Sequence, residues 1–168
     1  MVKKKICVVI FSRANYGSIK KVLDELKKNE KIELQILTGG SANIEKYGAV
    51  STMIKKDKFK INEEVFFFVD GDKPITMVKT TALGMIETSS ALESLKPDIV
   101  LTVGDRYETM ATVIAASYMN IPVAHTMGGE VSGTIDESIR HAITKFSHIH
   151  FPATLKSKKN IISMGENK

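Results

Sequence analysis

Four kinds of side chain capable of acid, base or anion chemistry fall within one stretch of this 168-residue chain. Gly104-Asp105-Arg106 closes an apolar run. His125 closes the next one. Met127-Gly128-Gly129-Glu130 follows it, and Thr134-Ile135-Asp136-Glu137 opens a segment that goes on to Arg140 and His141. A carboxylate at Asp105, Glu130 or Asp136 can move a proton. Acid–base work needs such a group positioned, with its pKa raised toward neutrality, and partial burial supplies that shift. An arginine at the same edge can hold a phosphate. Arg13, far away in the chain, sits in the turn after the first apolar run and can join them. Each residue also has a plain structural reading. Asp105 suits a helix N-cap, Arg106 a solvated surface and His125 a packed core position. Thr134 and Glu137 have the spacing of a capping box. The pairs Asp136/Arg140 and Glu137/His141 are four apart, so each can form an exposed ion pair worth ~0.5 kcal/mol. The chemical reading gains when all of these groups reach one edge of one sheet.

The elements that must bring them there are legible from periodicity. Residues 6–11 form a continuous β-branched run, as a strand buried on both faces requires. The turn Ser12-Arg13-Ala14-Asn15-Tyr16-Gly17 leads into a helix with Ile19, Val22, Leu23 and Leu26 on one stripe. Strand two is expected over 32–37, closed by Thr38-Gly39-Gly40, and a short helix over 47–56. Strand three, with three consecutive phenylalanines, is expected over 64–69. The breaker loop at 70–74 follows, then a long helix over 76–95 with Val78, Ala82, Met85 and Leu92 as its apolar side. Strands four to six are expected at 98–103, 121–125 and 148–151, and a last helix at 154–164. In the helix after strand five, Ile139, Ala142, Ile143 and Phe146 form the apolar stripe. This alternation predicts an α/β domain in three layers around a doubly wound parallel sheet. Ligands of such sheets sit past the carboxyl ends of the strands, where Arg13, Asp105, Arg106, His125 and Glu130 all fall.

Composition narrows the classes. Hydrophobic residues make up 43% and charged residues 26%, ordinary for a globular protein with one core. The net charge of +5 comes from scattered lysine pairs without interleaved aromatics, so no nucleic-acid partner is expected. No apolar run reaches the roughly 18 residues of a membrane span, and no membrane partner is expected. The single Cys7 excludes an internal disulfide and fits a cytoplasmic location. His148 and His150 share a strand face but lack a third ligand at metal-site spacing, so no metal is expected. No G-x-G-x-x-G follows strand one and no Walker lysine occurs, so nicotinamide and ATP lack their usual cradles.

GDRYETMA, NIPVAHTMGGEVSGTIDESIRHAITKFSHIHFPAT and ISMGE resemble the hydrolysing UDP-N-acetylglucosamine 2-epimerases, which open sialic and legionaminic acid biosynthesis. SRANYGSIKKVL is similar to that family's first turn, where R-A-D-Y is usual. The resemblance spans essentially the whole chain. It implies one half of a GT-B-type fold, in which two Rossmann-like domains hold a UDP-sugar between them. Residues 1–168 match the N-terminal domain, with the C-terminal nucleotide-binding domain absent.

By motif position, the resemblance implies that Arg13 and Arg106 contact UDP and that Asp105 and Asp136 are catalytic carboxylates. Glu130, Arg140 and His141 are implied as site lining, with His125 in the substrate-binding set. The implied substrate is a UDP-N-acetylhexosamine and the implied assembly a homo-oligomer, dimer or tetramer; no cofactor is implied. Three positions depart from the family pattern. Met127 stands where many members carry a glutamate, so either Glu130 takes that role or the chain belongs to a variant subgroup. Asn15 replaces the usual aspartate, and Ser41 stands near a usual histidine. With one domain, the chain alone is expected to have little activity. Its alternatives are a non-catalytic sugar-nucleotide-binding or interaction module and a non-hydrolysing epimerase.

Overall fold

The computed structural model describes residues 2–71 and 73–167. Asp72, in the expected breaker loop, and the terminal Met1 and Lys168 lie outside the described residues. Strands β1 (Lys4–Ile10), β2 (Ile32–Thr38), β3 (Glu63–Glu64), β4 (Ile99–Val103), β5 (Val123–Thr126) and β6 (Ile149–Phe151) pair in parallel in the order β3-β2-β1-β4-β5-β6. The order reverses between β1 and β4. That is the crevice-forming point of a doubly wound sheet, so the turns after these two strands face the same opening.

Period-2 alternation sends side chains to both faces of the sheet. Val8 and Ile10 point one way, under helices α1 (Arg13–Lys28) and α2 (Val50–Lys56), where Ile19, Leu23, Val50 and Ile54 meet them. Cys7 and Val9 point the other way, with Leu92 of α3 (Pro74–Leu95), Val113 of α4 (Tyr107–Tyr118) and Ile143 of α5 (Ile135–Phe146). The expected three-layer α/β architecture is therefore present. The last helix, α6 (Leu155–Ser163), is capped by Thr154, whose hydroxyl accepts from the Ser157 amide at 3.0 Å.

Two expectations about elements are corrected. Strand three is only two residues long. β2 ends at Thr38, and Gly39-Gly40 turns away, so residues 65–69 run past the sheet edge with no strand to pair with. They are held instead by single bonds: Val65 N–H to the Thr38 carbonyl, Asn43 Nδ2 to the Val65 carbonyl, and Val69 N–H to Thr80 Oγ1. Phe67 alone of the three phenylalanines is driven into the core, edge-on to Phe11 with centroids 5.0 Å apart. The second correction concerns α3, whose buried side is Thr80, Gly84, Thr88, Ala91, Leu92 and Leu95 rather than the stripe through Val78 and Ala82. Small residues win because α4 approaches closely. A Cβ at Gly84 would stand 3.0 Å from Phe67 and 3.2 Å from the Ala111 Cβ.

Candidate active site

The carboxyl ends of β1, β4 and β5 supply the site, and a buried polar frame fixes them relative to one another. Asn15, in the first turn of α1, is only 6% exposed and bridges the switch point. Its Oδ1 accepts from the Phe11 amide at 3.2 Å, and its Nδ2 donates to the Val103 carbonyl at 2.9 Å. The ends of β1 and β4 are thereby clipped together. Gly104 (φ 77°) then turns the chain sharply out of β4, a conformation open to glycine at no steric cost.

Arg140 is the second frame member. It is 6% exposed, on α5, and its guanidinium lies on the Asp105 carboxylate. Nη1 also donates to the Glu130 carbonyl at 2.6 Å, and Ser132 Oγ is within 3.5 Å of both terminal nitrogens. One arginine thus joins the end of β4, the 127–133 loop and α5. The expected Asp136–Arg140 pair is corrected by this geometry, because a nearly buried guanidinium needs a partner inside the crevice and Asp136 is exposed. Asp136 remains one helical turn from Arg140 on the same helix face, toward the opening. Asp105 Oδ1 and the Asp136 carboxylate have no hydrogen bond among the described residues.

The 127–133 loop is packed rather than free. Met127 takes the left-handed conformation (φ 63°), which strains a residue with a Cβ by roughly 1 kcal/mol. Its amide is held by the Phe151 carbonyl at 3.0 Å. Gly129 must be glycine: its φ is 79° and a Cβ there would meet the Ser157 carbonyl oxygen at 2.3 Å. Asn160 Nδ2 ties the Gly129 carbonyl to α6 at 2.8 Å. Glu130 is half-buried beside a hollow of about 230 Å³ that Val131, Thr154, Lys156 and Asn160 also line. The expected capping box is not formed. Thr134 makes no side-chain cap bond. The Glu137 carboxylate instead accepts from the Ser132 and Gly133 amides, both at 2.6 Å, and these bonds, Gly133 first, hold its pKa below the usual range.

His125 is corrected from substrate contact to internal strut. It has no exposed surface, and its Nε2 meets the Gly104 carbonyl at 2.8 Å, so the nitrogen is the donor. Nδ1 has no partner among the described residues and faces Gly128. Burial lowers the imidazole pKa to about 4, so the ring is neutral near pH 7. His141 is half-buried, its Nε2 3.7 Å from Glu137 Oε1 and its Nδ1 buried without a partner among the described residues.

The arginines differ from one another. Arg13 begins α1, is exposed, and runs alongside Gly48, 3.7 Å from where a Cβ would stand. Arg106 is half-exposed and grips Glu108 with two bonds, Nε to Oε2 at 3.1 Å and Nη2 to Oε1 at 3.2 Å. Glu108 is 1% exposed and was missed from the sequence, as was the bridging role of Asn15. The signal available for Glu108 was its position two residues past Arg106, at a helix start. The rim as a whole presents carboxylates at Asp105, Glu130 and Asp136, two guanidinium groups at Arg13 and Arg106, and the N-terminal ends of α1, α4 and α5. Such an edge suits an anionic ligand. Among the described residues no three His, Cys, Asp or Glu side chains cluster as a metal would require.

Comparison with known proteins gives a consistent result. The sequence pattern of the family described as UDP-N-acetylglucosamine 2-epimerase matches residues 24–168. A UDP-N,N'-diacetylbacillosamine 2-epimerase (hydrolyzing) from Legionella pneumophila is 42% identical over 163 residues, covering 97% of this chain and 43% of its own length. A GDP/UDP-N,N'-diacetylbacillosamine 2-epimerase (hydrolyzing) from Campylobacter jejuni is 36% identical, covering 99% of this chain and 43% of its own. The chain therefore spans under half the length of these relatives. A crystal structure of UDP-GlcNAc 2-epimerase from Neisseria meningitidis bound to UDP-GlcNAc superposes with a TM-score of 0.85 at 23% identity, over 97% of this chain and 44% of that one. A likeness at that identity supports the fold, and the fold is that of one half of a GT-B-type protein.

Proposed function

The chain belongs to the UDP-N-acetylglucosamine 2-epimerase family, and from that premise we propose that it forms the sugar-side half of the cleft in a hydrolysing UDP-sugar 2-epimerase. In this reading residues 1–168 are the N-terminal Rossmann-like domain, and a nucleotide-binding domain completes the cleft. The substrate is a UDP-linked 2-acetamido sugar. Two hydrolysing relatives named for diacetylbacillosamine favour a 2,4-diacetamido sugar over N-acetylglucosamine.

The reaction follows from the residue types. A carboxylate takes the proton from C2 of the sugar. The C2 electron pair forms the C1=C2 double bond as the C1–O bond to UDP breaks, giving a 2-acetamidoglucal and UDP. Water then adds its oxygen to C1 while C2 regains a proton on the opposite face, giving the manno-configured free sugar. Asp105, Asp136 and Glu130 are the proton carriers. Arg13 and Arg106 stabilise the charge that builds on the diphosphate, with Glu108 holding Arg106 in place. Arg140 and Asn15 are positioning residues; His125 keeps the Gly104 carbonyl, and so Asp105, in register. His141 lines the site beside Glu137.

The observation that carries this reading is the Arg140 tie, which links Asp105 to the Glu130 carbonyl from one turn below Asp136. A protein of full family length turning over UDP-2,4-diacetamido sugar to free sugar plus UDP tests it. UDP-linked product would instead make it a non-hydrolysing enzyme. Loss of nothing on Asp105→Asn and Asp136→Asn would remove the carboxylates from the reaction. The setting is cytoplasmic, the product feeds sialic- or legionaminic-acid biosynthesis, and the assembly is a homo-oligomer. Among the described residues no helix is long and apolar enough to cross a membrane.

A further inference from the structure

The rim continues beyond the residues that act on the proton. Past the ends of β5 and β6, the 127–133 loop and the first turns of α6 leave a hollow of about 230 Å³ between them. Its walls are fixed by bonds within the chain. Asn160 Nδ2 holds the Gly129 carbonyl at 2.8 Å, and Thr154 Oγ1 accepts from the Ser157 amide at 3.0 Å. A carbonyl can only accept, so the first bond also fixes which end of the Asn160 amide is the oxygen. Three groups that line the hollow are spare. Lys156 is exposed and in no ion pair among the described residues. Asn160 Oδ1 takes no hydrogen bond among them. Val131 is 64% exposed. The hollow therefore offers one cationic donor, one amide acceptor and one apolar wall. An N-acetyl group carries the matching set: a carbonyl that accepts, an N–H that donates, and a methyl.

We propose that this hollow seats the C4 acetamido group of a 2,4-diacetamido sugar, with Lys156, Asn160 and Val131 as the residues that select it. The proposal rests on the hydrolysing-epimerase reading above and adds the side chains that tell its substrate from a 4-hydroxy sugar. Strand order sets the direction. Arg13 and Arg106 follow β1 and β4, where the diphosphate belongs, and Asp105 closes β4. The hollow lies at the ends of β5 and β6, one and two strand spacings of ~4.8 Å further along the same edge. In a pyranose C4 stands across the ring from C1. A sugar whose C1 carries a diphosphate over β1 and β4 thus points its C4 substituent toward β5 and β6. Glu130, a proton carrier in that reading, lines the hollow too, so the reacting part of the ring and the C4 substituent meet neighbouring residues. At about 230 Å³ the hollow is smaller than the ~300 to 1,000 Å³ of a whole-ligand site and suits one substituent. An inorganic anion would satisfy Lys156 but would face the Asn160 oxygen and the Glu130 carboxylate, which repel it. Because Lys156 is exposed, its bond discriminates on the order of tenfold, far less than a sealed partner would.

The test uses the protein of full family length and two substrates: the UDP-2,4-diacetamido sugar and a counterpart identical except for a hydroxyl at C4. The quantity read is the ratio of their kcat/KM values. The unaltered protein is expected to prefer the diacetamido sugar. Lys156→Met is expected to cut that preference about tenfold, and Lys156→Arg, which keeps a cationic donor, to retain most of it. Val131→Phe, at an exposed position, fills the hollow and is expected to cut the preference at least as far. An unaltered protein that prefers the 4-hydroxy sugar overturns the proposal. So does a ratio that stays within about twofold in Lys156→Met or in Val131→Phe, including an equal loss on both substrates, which marks damage to the rim rather than lost selection. Each of these leaves the epimerase reading standing. Release of UDP from neither substrate overturns that reading, and the proposal with it.

Discussion

The two sides of the crevice are built differently. On the β4–β5 side almost every polar group is bonded: Asp105 to Arg140, Arg140 to the Glu130 carbonyl, His125 to the Gly104 carbonyl, Arg106 to Glu108. On the β1 side Arg13 is exposed, above the Asn15 clip and the Ser41 hydroxyl bonded to the Phe11 carbonyl. Asp136 belongs with Arg13, exposed at its helix start. The bonded side is preorganised, and in the proposed reading its members support the fold as well as the reaction. The open groups make no side-chain hydrogen bonds among the described residues and, in the proposed reading, act only when a ligand arrives. Substitutions should therefore split into those that move both stability and turnover and those that move turnover alone.

The largest effect is expected at Asp105. In a protein of full family length, Asp105→Asn should lower kcat by about 10²- to 10⁴-fold, the range for removing a positioned acid–base group. It should also lower the melting temperature, because Arg140 is left buried without its counter-charge. Asp136→Asn should lower kcat comparably and leave the melt unchanged; a shifted melt there would erase the distinction between the two carboxylates. Arg140→Met should destabilise the chain by about 3 kcal/mol, read by urea unfolding, with the 127–133 loop becoming protease-sensitive. An unaltered midpoint would mean the tie is not structural.

His125 sharpens the comparison through pH. Its folded pKa, about 4, lies below its unfolded value of 6.5, so the unfolded chain takes up the proton first. Its contribution is fully present above pH 6.5 and is lost as pH falls through 6.5 toward 4. The shift corresponds to about 3 kcal/mol. Measured by urea unfolding at a series of pH values, stability should fall over that window, and His125→Gln should flatten the slope. Asn15→Ala should cost roughly 1 to 2 kcal/mol, read by the same unfolding, for two buried hydrogen bonds. The smallest stability change is expected at Arg13→Ala, within about 0.5 kcal/mol, while UDP affinity of the full-length protein falls.

Much of this arrangement could be read from the chain itself, because parallel strands announce themselves as β-branched runs and the chemical groups stand directly after them. The rim of Arg13, Asp105, Arg106 and Glu130 follows from strand ends alone. What could not be read was partner choice. Arg140 has an aspartate four residues away and another 35 residues away, and burial selects the distant one. His125 ends a strand at the crevice, yet Gly128 folds back over it and seals it. Glu108 looks like an ordinary first-turn glutamate until the packing of α4 removes it from water. The apolar side of α3 was misassigned because hydrophobicity points to Val78 and Ala82, whereas close approach to α4 selects Gly84 and the threonines. Strand three failed for a related reason: three phenylalanines favour a strand, but its neighbour had already turned away.

The central claim is that rim carboxylates remove the C2 proton as UDP departs. It is tested most directly by running the full-length protein on its UDP-2-acetamido sugar in D₂O and reading the free product by mass spectrometry and NMR. The account predicts one deuterium at C2 of a manno-configured free sugar, with UDP released in equal amount. Product that keeps its original C2 hydrogen would contradict it.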